Sequence, residues 1–394
     1  MNVLVLQSGG PTPVFNASLW GVIDGCRVEP KVKRLFGARQ GIQGLSRGDW
    51  VELTHFENRF PPYLDTQPGA ALGCGRQRLD ADQIPIILER LAHHEIGAVI
   101  IIGGNGSMAA GQLLGAGAAA KGYPLQVVGV PKTVDNDLVG TDFAPGYGSA
   151  ARFIAQTVRD ISLDLYAMRN FDDVAVVEVM GRHTGWLAAA SALARRTDAS
   201  PPHLILMPEV LFDEGVFLDR VRAECGDGGV CMVVAAEGIQ DQTGNFLADL
   251  GRGADQVMAQ DATGQKLLSF AAGVAPYLAG RIQSQLGLRC RQVRPDTIQR
   301  ASSSLVSELD RRQAARTGAA AVDAVAEGLS QVMVGLHRHT SGWLTEPVPF
   351  ADIVGQEKRL PPEFIAESGF DVTQAFMEYA VPLVDRIHTG IVLF

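Results

Sequence analysis

The chain has 394 residues, 46% hydrophobic and 20% charged, with 44 glycines and a formal net charge of −9 at pH 7. That length exceeds one ordinary core and predicts two domains. The negative balance, with no long basic run, argues against nucleic-acid and membrane-surface partners. No apolar stretch reaches the roughly 20 residues that span a bilayer. Cysteines 26, 74, 225, 231 and 290 form an odd set without metal-ligand spacing and read as the reduced thiols of a cytoplasmic protein.

The opening "MNVLVLQSGG" has neither a basic leader nor a small-residue cleavage site and is expected to be the first strand. In "DADQIPIILERLAHHEI", Ile84, Ile87, Leu88 and Leu91 fall at helical spacing, with Pro85 tolerable in the first turn. A second strand, "IGAVIIIGGNGS", leads into an Ala/Gly-rich helix over "MAAGQLLGAGAAA", and "LQVVGVP" is a third strand. Runs of this kind belong to parallel strands buried on both faces, and their alternation with helices predicts a doubly wound α/β sheet. Ligands of such sheets bind outside the carboxyl ends of the strands. Further along, "DVAVVEVMGR", "PHLILMPE" and "GGVCMVVAAEG" read as three more buried strands, followed by "LRCRQV" and the segment through "TIQRAS". "AAVDAVAEGLSQVMVGL" is expected to be helical, and "EKRLPPEF" a charged loop entering a final helix. The nearest candidates for domain crossings are "FAPGYG" and the region around "RPDT".

Three strand ends, "QSGG", "GGNGS" and "PKTVDND", would open on one edge of a parallel sheet. Singly, each is no more than a tight turn. Together they gather Gly9, Gly10, Gly104, Gly106, Ser107, Lys132, Asp135 and Asp137, and exposed backbone N–H groups at such turns suit a phosphate. Arg182 in "VEVMGRHTGWLA" follows a buried strand, where an arginine is costly unless it meets an anion or a carboxylate such as Glu178 or Asp173. Glu237 and Arg300 stand at similar strand ends, and Arg76 precedes the second helix. Cations to stabilise moving charge, with carboxylates to accept a hydroxyl proton, are what phosphoryl transfer requires.

In that order, "SGG", "GGNGS", "PKTVDND", "VEVMGR", "AAEG" and "IQR" resemble the phosphofructokinase family over about Met1 to Ser304. The resemblance implies two Rossmann-like three-layer α/β domains with mainly parallel sheets and an active site in the cleft between them. It implies a phosphoryl-donor domain over 1–146 with about 298–350, and a fructose 6-phosphate domain over 147–297 with about 351–394. The family phosphorylates the 1-hydroxyl of fructose 6-phosphate with Mg2+ and either a nucleotide or pyrophosphate. Residue by residue, Asp135 matches the base, Lys132 and Arg182 flank the transferring group, and Asp137 with Asn105 lies at the magnesium. Thr133, Val134, Met180, Gly181, Arg182, Glu237, Thr297 and Arg300 match the sugar side. Arg291 matches an arginine lent by a neighbouring subunit of a homodimer or homotetramer. Gly9, Gly10, Arg76, Gly104, Gly106 and Ser107 fall on the donor side with Lys132.

Lys132 stands where many ATP users of the family carry glycine and where pyrophosphate users carry lysine, which points to pyrophosphate. Departures from the pattern hold alternatives open. Gly106 lacks the aspartate that crowds a nucleotide, leaving ATP as a donor. Asn105 replaces a usual aspartate, which fits either a weaker metal site or a catalytically weak regulatory subunit. Thr297 replaces a histidine or tyrosine, and Asp173 an arginine for which Arg169 is the nearby substitute. Glu209 resembles an effector-site position of ATP-dependent members and is read as a structural carboxylate. Lys358, in a tail resembling the pyrophosphate branch, is given a role near the sugar. Sedoheptulose phosphate is a further acceptor that the residues leave open. His183 reads as a supporting or surface residue, and His93 and His94 as solvated.

Overall fold

The computed structural model describes residues 1–55, 63–197, 200–250 and 273–388. The chain divides into two compact units, Met1–Ser149 with Arg300–Lys358 and Ala150–Gln299 with Arg359–Phe394.

Among the described residues the first unit holds a seven-stranded sheet. Its strands are β1 (Asn2–Gln7), β2 (Arg34–Ala38), β3 (Trp50–Glu52), β4 (Ile96–Gly103) and β5 (Gln126–Pro131). After the second unit's β6 (Val174–Val179), β7 (Leu204–Leu206), β8 (Cys231–Ala236) and β9 (Cys290–Val293), the sheet is completed by β10 (Val332–His339) and β11 (Gly342–Pro349). The order is β11-β10-β5-β4-β1-β2-β3. Only the outer pairs, β10 with β11 and β2 with β3, are antiparallel. The apolar runs are continuous because both faces are covered. Val3, Val5, Ile100, Ile102 and Val128 pack with Phe15, Leu19, Val22, Ala321 and Val325. Leu4, Leu6, Val99, Ile101 and Val127 pack with Ile87, Leu91, Met108 and Leu114.

The helices Phe15–Val28 and Glu308–Ala326 cross at glycines. A Cβ on Gly21 would lie 1.9 Å from the Ala315 carbonyl oxygen, and one on Gly318 would lie 2.1 Å from that of Ser18. Asp310, fully buried on the second of these helices, accepts the Gly146 N–H at 2.9 Å and the Ser149 N–H at 2.8 Å. It also accepts the Ser149 hydroxyl at 2.6 Å, so a residue distant in sequence satisfies the first turn of the helix Tyr147–Ala167.

The second unit carries a four-stranded parallel sheet of order β7-β8-β6-β9. Val174, Val176, Leu206, Val233, Phe217 and Ile282 share its core. Trp186 is buried beside Phe364, Phe376 and Tyr379, which brings the C-terminal segment onto this unit. Mainly parallel sheets with helices in both units agree with the fold class expected from the strand–helix alternation.

One expected element is corrected. The helix predicted through "SQVMVGL" stops at Ala326, and Val332 onward is β10, pairing with β5 at Val332↔Val128. Gly328 at φ 85° and Gln331 at φ 61° reverse the chain there, a turn that glycine permits without strain. The helix expected after "EKRLPPEF" begins only at Gln374, after a 3-10 turn at Pro362–Phe364.

Gly21→Val forces a branched side chain into a backbone carbonyl and is expected to cost at least about 2 kcal/mol. A depressed melting temperature in thermal unfolding checks this, and an unchanged one would refute the close helix crossing.

Candidate active site

The three glycine-rich strand ends are neighbours because β5, β4 and β1 are consecutive in the first sheet. Hydrogen bonds continue past the strands, Ser8 N–H to Ile102 O at 2.9 Å and Lys132 N–H to Gly103 O at 3.0 Å, so the loops leave in step. Gly9 turns at φ 84° and donates its N–H to Gly75 O at 2.9 Å, which lays the Arg76 segment beside it. A Cβ on Gly10 would stand 2.6 Å from Nη1 of Arg300 and 3.7 Å from Nη2 of Arg76. Gly104 caps the helix Asn105–Ala120, Ser107 is buried in its first turn, and a Cβ on Gly106 would meet nothing within 4 Å.

Lys132 fills the centre of this edge. Its side chain is buried, its ammonium donates to Gly10 O at 2.8 Å, and the charge lies 4.6 Å from the centre of the Phe15 ring. Burial pushes its pKa down to about 8, and Arg76 and Arg300 press the same way against Cys74 and Asp137. Three cations therefore surround the Gly9–Gly10 turn. Such an arrangement is costly empty and favourable around a polyanion.

The carboxylates sit on the neighbouring loop. Asp135 follows a turn in which its N–H bonds Thr133 Oγ1 at 3.1 Å, and Val134 is buried. Asn136 adopts φ 54° and is held by its Oδ1 accepting the Ala144 N–H at 3.0 Å. Asn105 donates its amide to Asp137 Oδ2 at 3.0 Å. Both Asn105 Oδ1 and Asp137 Oδ1 are then buried without a hydrogen-bond partner, which costs free energy unless a donor or cation satisfies them. One carboxylate oxygen and one neutral carbonyl suit a hard cation that draws its other ligands from water and phosphate. Among the described residues there is no cluster of three His, Cys, Asp or Glu able to hold a metal alone.

Lys358 braces this loop. Its backbone N–H bonds Asp137 O at 2.9 Å, and its buried ammonium donates to Thr141 O at 3.0 Å and Asp142 O at 2.5 Å. Burial pushes its pKa down to about 8, opposed by Asp142 and Asp137.

The second unit gathers the other predicted residues at the ends of β6 and β8. Glu237 N–H bonds Val179 O at 2.9 Å and Gly238 N–H bonds Gly181 O at 3.1 Å. A Cβ on Gly238 would fall 1.8 Å from the Arg182 carbonyl, so the loop bearing Met180, Gly181 and Arg182 lies directly against the Glu237 turn. Buried Gln299 accepts the Met180 N–H at 3.0 Å. A cavity here is lined by Glu178, Val179, Met180, Glu237, Arg294, Asp296 and Gln299. Glu178 pairs with Arg294 at 3.4 Å and accepts the Ala275 N–H at 2.9 Å, while its burial raises its pKa. Asp173 pairs with Arg289 at 2.7 Å. Sequence reading had offered Glu178 and Asp173 as partners for Arg182; Glu178 pairs with Arg294 and Asp173 with Arg289.

Arg294 and Gln299 were missed. Arg294 follows β9 as Arg182 follows β6, and that parallel placement was the available signal. Arg291, half-exposed, is bound through Nε by Asp172 of its own chain. Thr297 is exposed on the 3-10 turn Asp296–Arg300. Arg300 belongs to the first unit, and its guanidinium stands at Gly10 with Arg76.

Glycine turns, converging cations and adjacent carboxylates on parallel sheet edges define a class of phosphate-handling α/β proteins. The phosphofructokinase family model matches residues 2–325, and the chain belongs to that family. It is 38% identical over 392 residues to a Xanthomonas campestris protein named pyrophosphate–fructose 6-phosphate 1-phosphotransferase, covering 97% of this chain and 91% of that one. A Halomonas elongata protein of the same name is 36% identical over 393 residues, covering 97% and 91%. The crystal structure of a pyrophosphate-dependent phosphofructokinase from Nitrosospira multiformis matches with TM-score 0.87 and 32% identity, covering 99% of this chain and 93% of that one. No helix among the described residues is long and apolar enough to cross a membrane.

Folded Lys132 gives up its proton near 8, whereas an unfolded lysine keeps it to about 10.5. Across that window the unfolded chain binds more protons, so this group's contribution to the stability of the ligand-free protein rises with pH. Binding of pyrophosphate is expected to run the other way, weakening as pH climbs past about 8 and the ammonium is lost. Calorimetric titration of pyrophosphate at a series of pH values checks it. Lys358 titrates in the same range, so Lys132→Met must remove most of the pH dependence; if it does not, Lys132 is not the group responsible.

Proposed function

We propose that the protein transfers a phosphoryl group from pyrophosphate to the 1-hydroxyl of fructose 6-phosphate, reversibly, giving fructose 1,6-bisphosphate and phosphate. The single observation that carries the donor assignment is the buried Lys132 ammonium at the Gly9–Gly10 turn with Arg76 and Arg300 beside it. Pyrophosphate brings no nucleoside to bind, so the protein must neutralise the departing phosphate with its own charges. One unit charge at about 4 Å, at an effective dielectric of about 20, is worth at most about 4 kcal/mol before desolvation. That magnitude is enough to decide whether a bare phosphate can leave. The names of the relatives support the same reading.

On this reading the first unit holds the donor and the second the sugar phosphate. Asp135 accepts the hydroxyl proton. An ordinary aspartate is a weak base at pKa ~3.9, which suffices where the proton moves late in a loose transition state. Lys132, Arg76 and Arg300 carry the anhydride oxygens, and Arg300 acts there rather than on the 6-phosphate. Met180, Gly181, Arg182, Glu237 and Arg294 bind the sugar phosphate, with Thr297 at the rim and Arg291 serving a neighbouring subunit. Magnesium, when bound, supplies further charge neutralisation to the phosphoryl oxygens, held by Asp137 and the Asn105 carbonyl. Lys358 holds the Asp137 loop.

ATP as donor is the second reading, favoured by the open space at Gly106. Purified protein with fructose 6-phosphate, magnesium and either donor discriminates the two; turnover with ATP alone would reverse the assignment. Lys132→Gly is expected to lower pyrophosphate turnover by about two orders of magnitude or more while sparing sugar binding. Asp135→Ser should abolish turnover with the fold intact, read by circular dichroism beside the assay. Gly106→Asp should leave pyrophosphate turnover near wild type, since its Cβ meets nothing.

A further inference from the structure

Beyond β7 the chain runs through Met207 and Pro208 to Glu209. Its carboxylate is turned inward. Oε1 accepts the Gly185 N–H at 3.0 Å and the Leu360 N–H at 2.9 Å. Oε2 is buried and has no hydrogen-bond partner. A Cβ on Gly185 would come within 2.7 Å of that oxygen and 2.8 Å of Met207, so this approach requires glycine. Gly185 closes the loop that starts at Met180. The loop's near end is fixed by Gln299 on the Met180 N–H and by Gly238 against Arg182, and its Gly181 turns at φ 137° under the Thr184 carbonyl. After Gly185, Trp186 is buried against Phe364 and Tyr379 of the same C-terminal segment that supplies Leu360.

A six-residue loop with a glycine at a positive φ keeps no single shape by itself, because that glycine is free to move unless both ends are held. Gln299 holds one end. Glu209 is the polar anchor of the other, and a charged acceptor makes stronger bonds to backbone N–H than a neutral one. We infer that Glu209 is a positioning residue: by bonding the Gly185 and Leu360 N–H groups it sets the Met180–Gly185 loop and so the affinity for the sugar phosphate. The inference rests on the proposed assignment of Met180–Arg182 to the sugar side. Burial raises the Glu209 pKa, opposed by the Leu360 and Gly185 N–H donors, its own backbone N–H and Arg359.

The test uses Glu209→Ala and Glu209→Gln in the full chain, with steady-state kinetics and amide hydrogen exchange. Glu209→Ala is expected to raise KM for fructose 6-phosphate about tenfold, as the loss of a charge-assisted bond pair predicts, with KM for pyrophosphate unchanged. Exchange at Gly185 and Leu360 should accelerate by about the same factor. Glu209→Gln keeps an acceptor oxygen and should recover most of both properties. If Glu209→Ala does not fold, Gly185→Ala displaces the carboxylate from the opposite side and should give the same pattern. Unchanged exchange at Gly185, or an equal rise in both KM values, would overturn the positioning role. Should the wild-type protein show no turnover of fructose 6-phosphate, the proposed function fails, and the exchange data alone then support or refute the anchor.

Discussion

The buried ammonium of Lys132 is the constraint around which the first unit is arranged. A lysine nearly sealed from solvent loses its hydration, and the structure returns one hydrogen bond, donated to the Gly10 carbonyl, and the face of Phe15. Neither is enough to hold the charge at full strength, as its lowered pKa records. Arg76 and Arg300 make matters worse when nothing negative is near. Burying the Lys132 ammonium is a cost to the folded state, and a polyanion at this turn offsets it. The net charge of −9 sharpens the contrast with the cluster of cations at this turn.

The sheet makes that concentration possible. Only parallel strands deliver consecutive loops to one edge, and β1, β4 and β5 are neighbours in the sheet although β1 ends at Gln7 and β4 begins only at Ile96. Packing two helices side by side on the face that carries Val3 and Val5 requires the glycine crossing at Gly21 and Gly318, where backbones approach too closely for side chains. Asp310, on the helix that makes this crossing, also caps the helix at Tyr147. Core packing and the placement of the loop after Lys132 are thus linked through one buried carboxylate. The second unit repeats the device with Glu178, whose burial is compensated by Arg294 and the Ala275 N–H.

Much of this was legible in the sequence, because periodic apolar runs ending in glycine report parallel strands directly. β1, β4, β5, β6, β7 and β8 were all readable, as were the loops after them. Other short or edge elements were not. β2 and β3 lack a long apolar run, and β10 was absorbed into a helix because "VMVGL" is apolar enough for either and the turn at Gly328–Gln331 separates the two. Side-chain partnerships were the least legible part. Nothing in the spacing of Lys358 announces that its ammonium binds backbone carbonyls, and motif order alone does not show that the Arg300 guanidinium stands at Gly10. Arg294 was visible only by comparing one strand end with another.

Asparagine at position 105 takes on a different meaning in this setting. An aspartate there would stand at hydrogen-bond distance from Asp137, and two carboxylates so close need a cation or a shared proton. The amide removes that demand by donating to Asp137 Oδ2 while still offering a carbonyl oxygen. It also leaves the edge more positive by one charge. On the proposed reading this is a consistent trade: metal binding is weakened on one side of the donor, while Lys132, Arg76 and Arg300 supply fixed positive charge at the glycine turn. Fixed cations pay no reorganisation when the phosphate departs, whereas a loosely held metal ion must be carried in with the substrate. The neutral residue and the buried lysine are therefore two parts of one electrostatic solution, in which the chain itself carries more of the charge that a metal ion would otherwise provide.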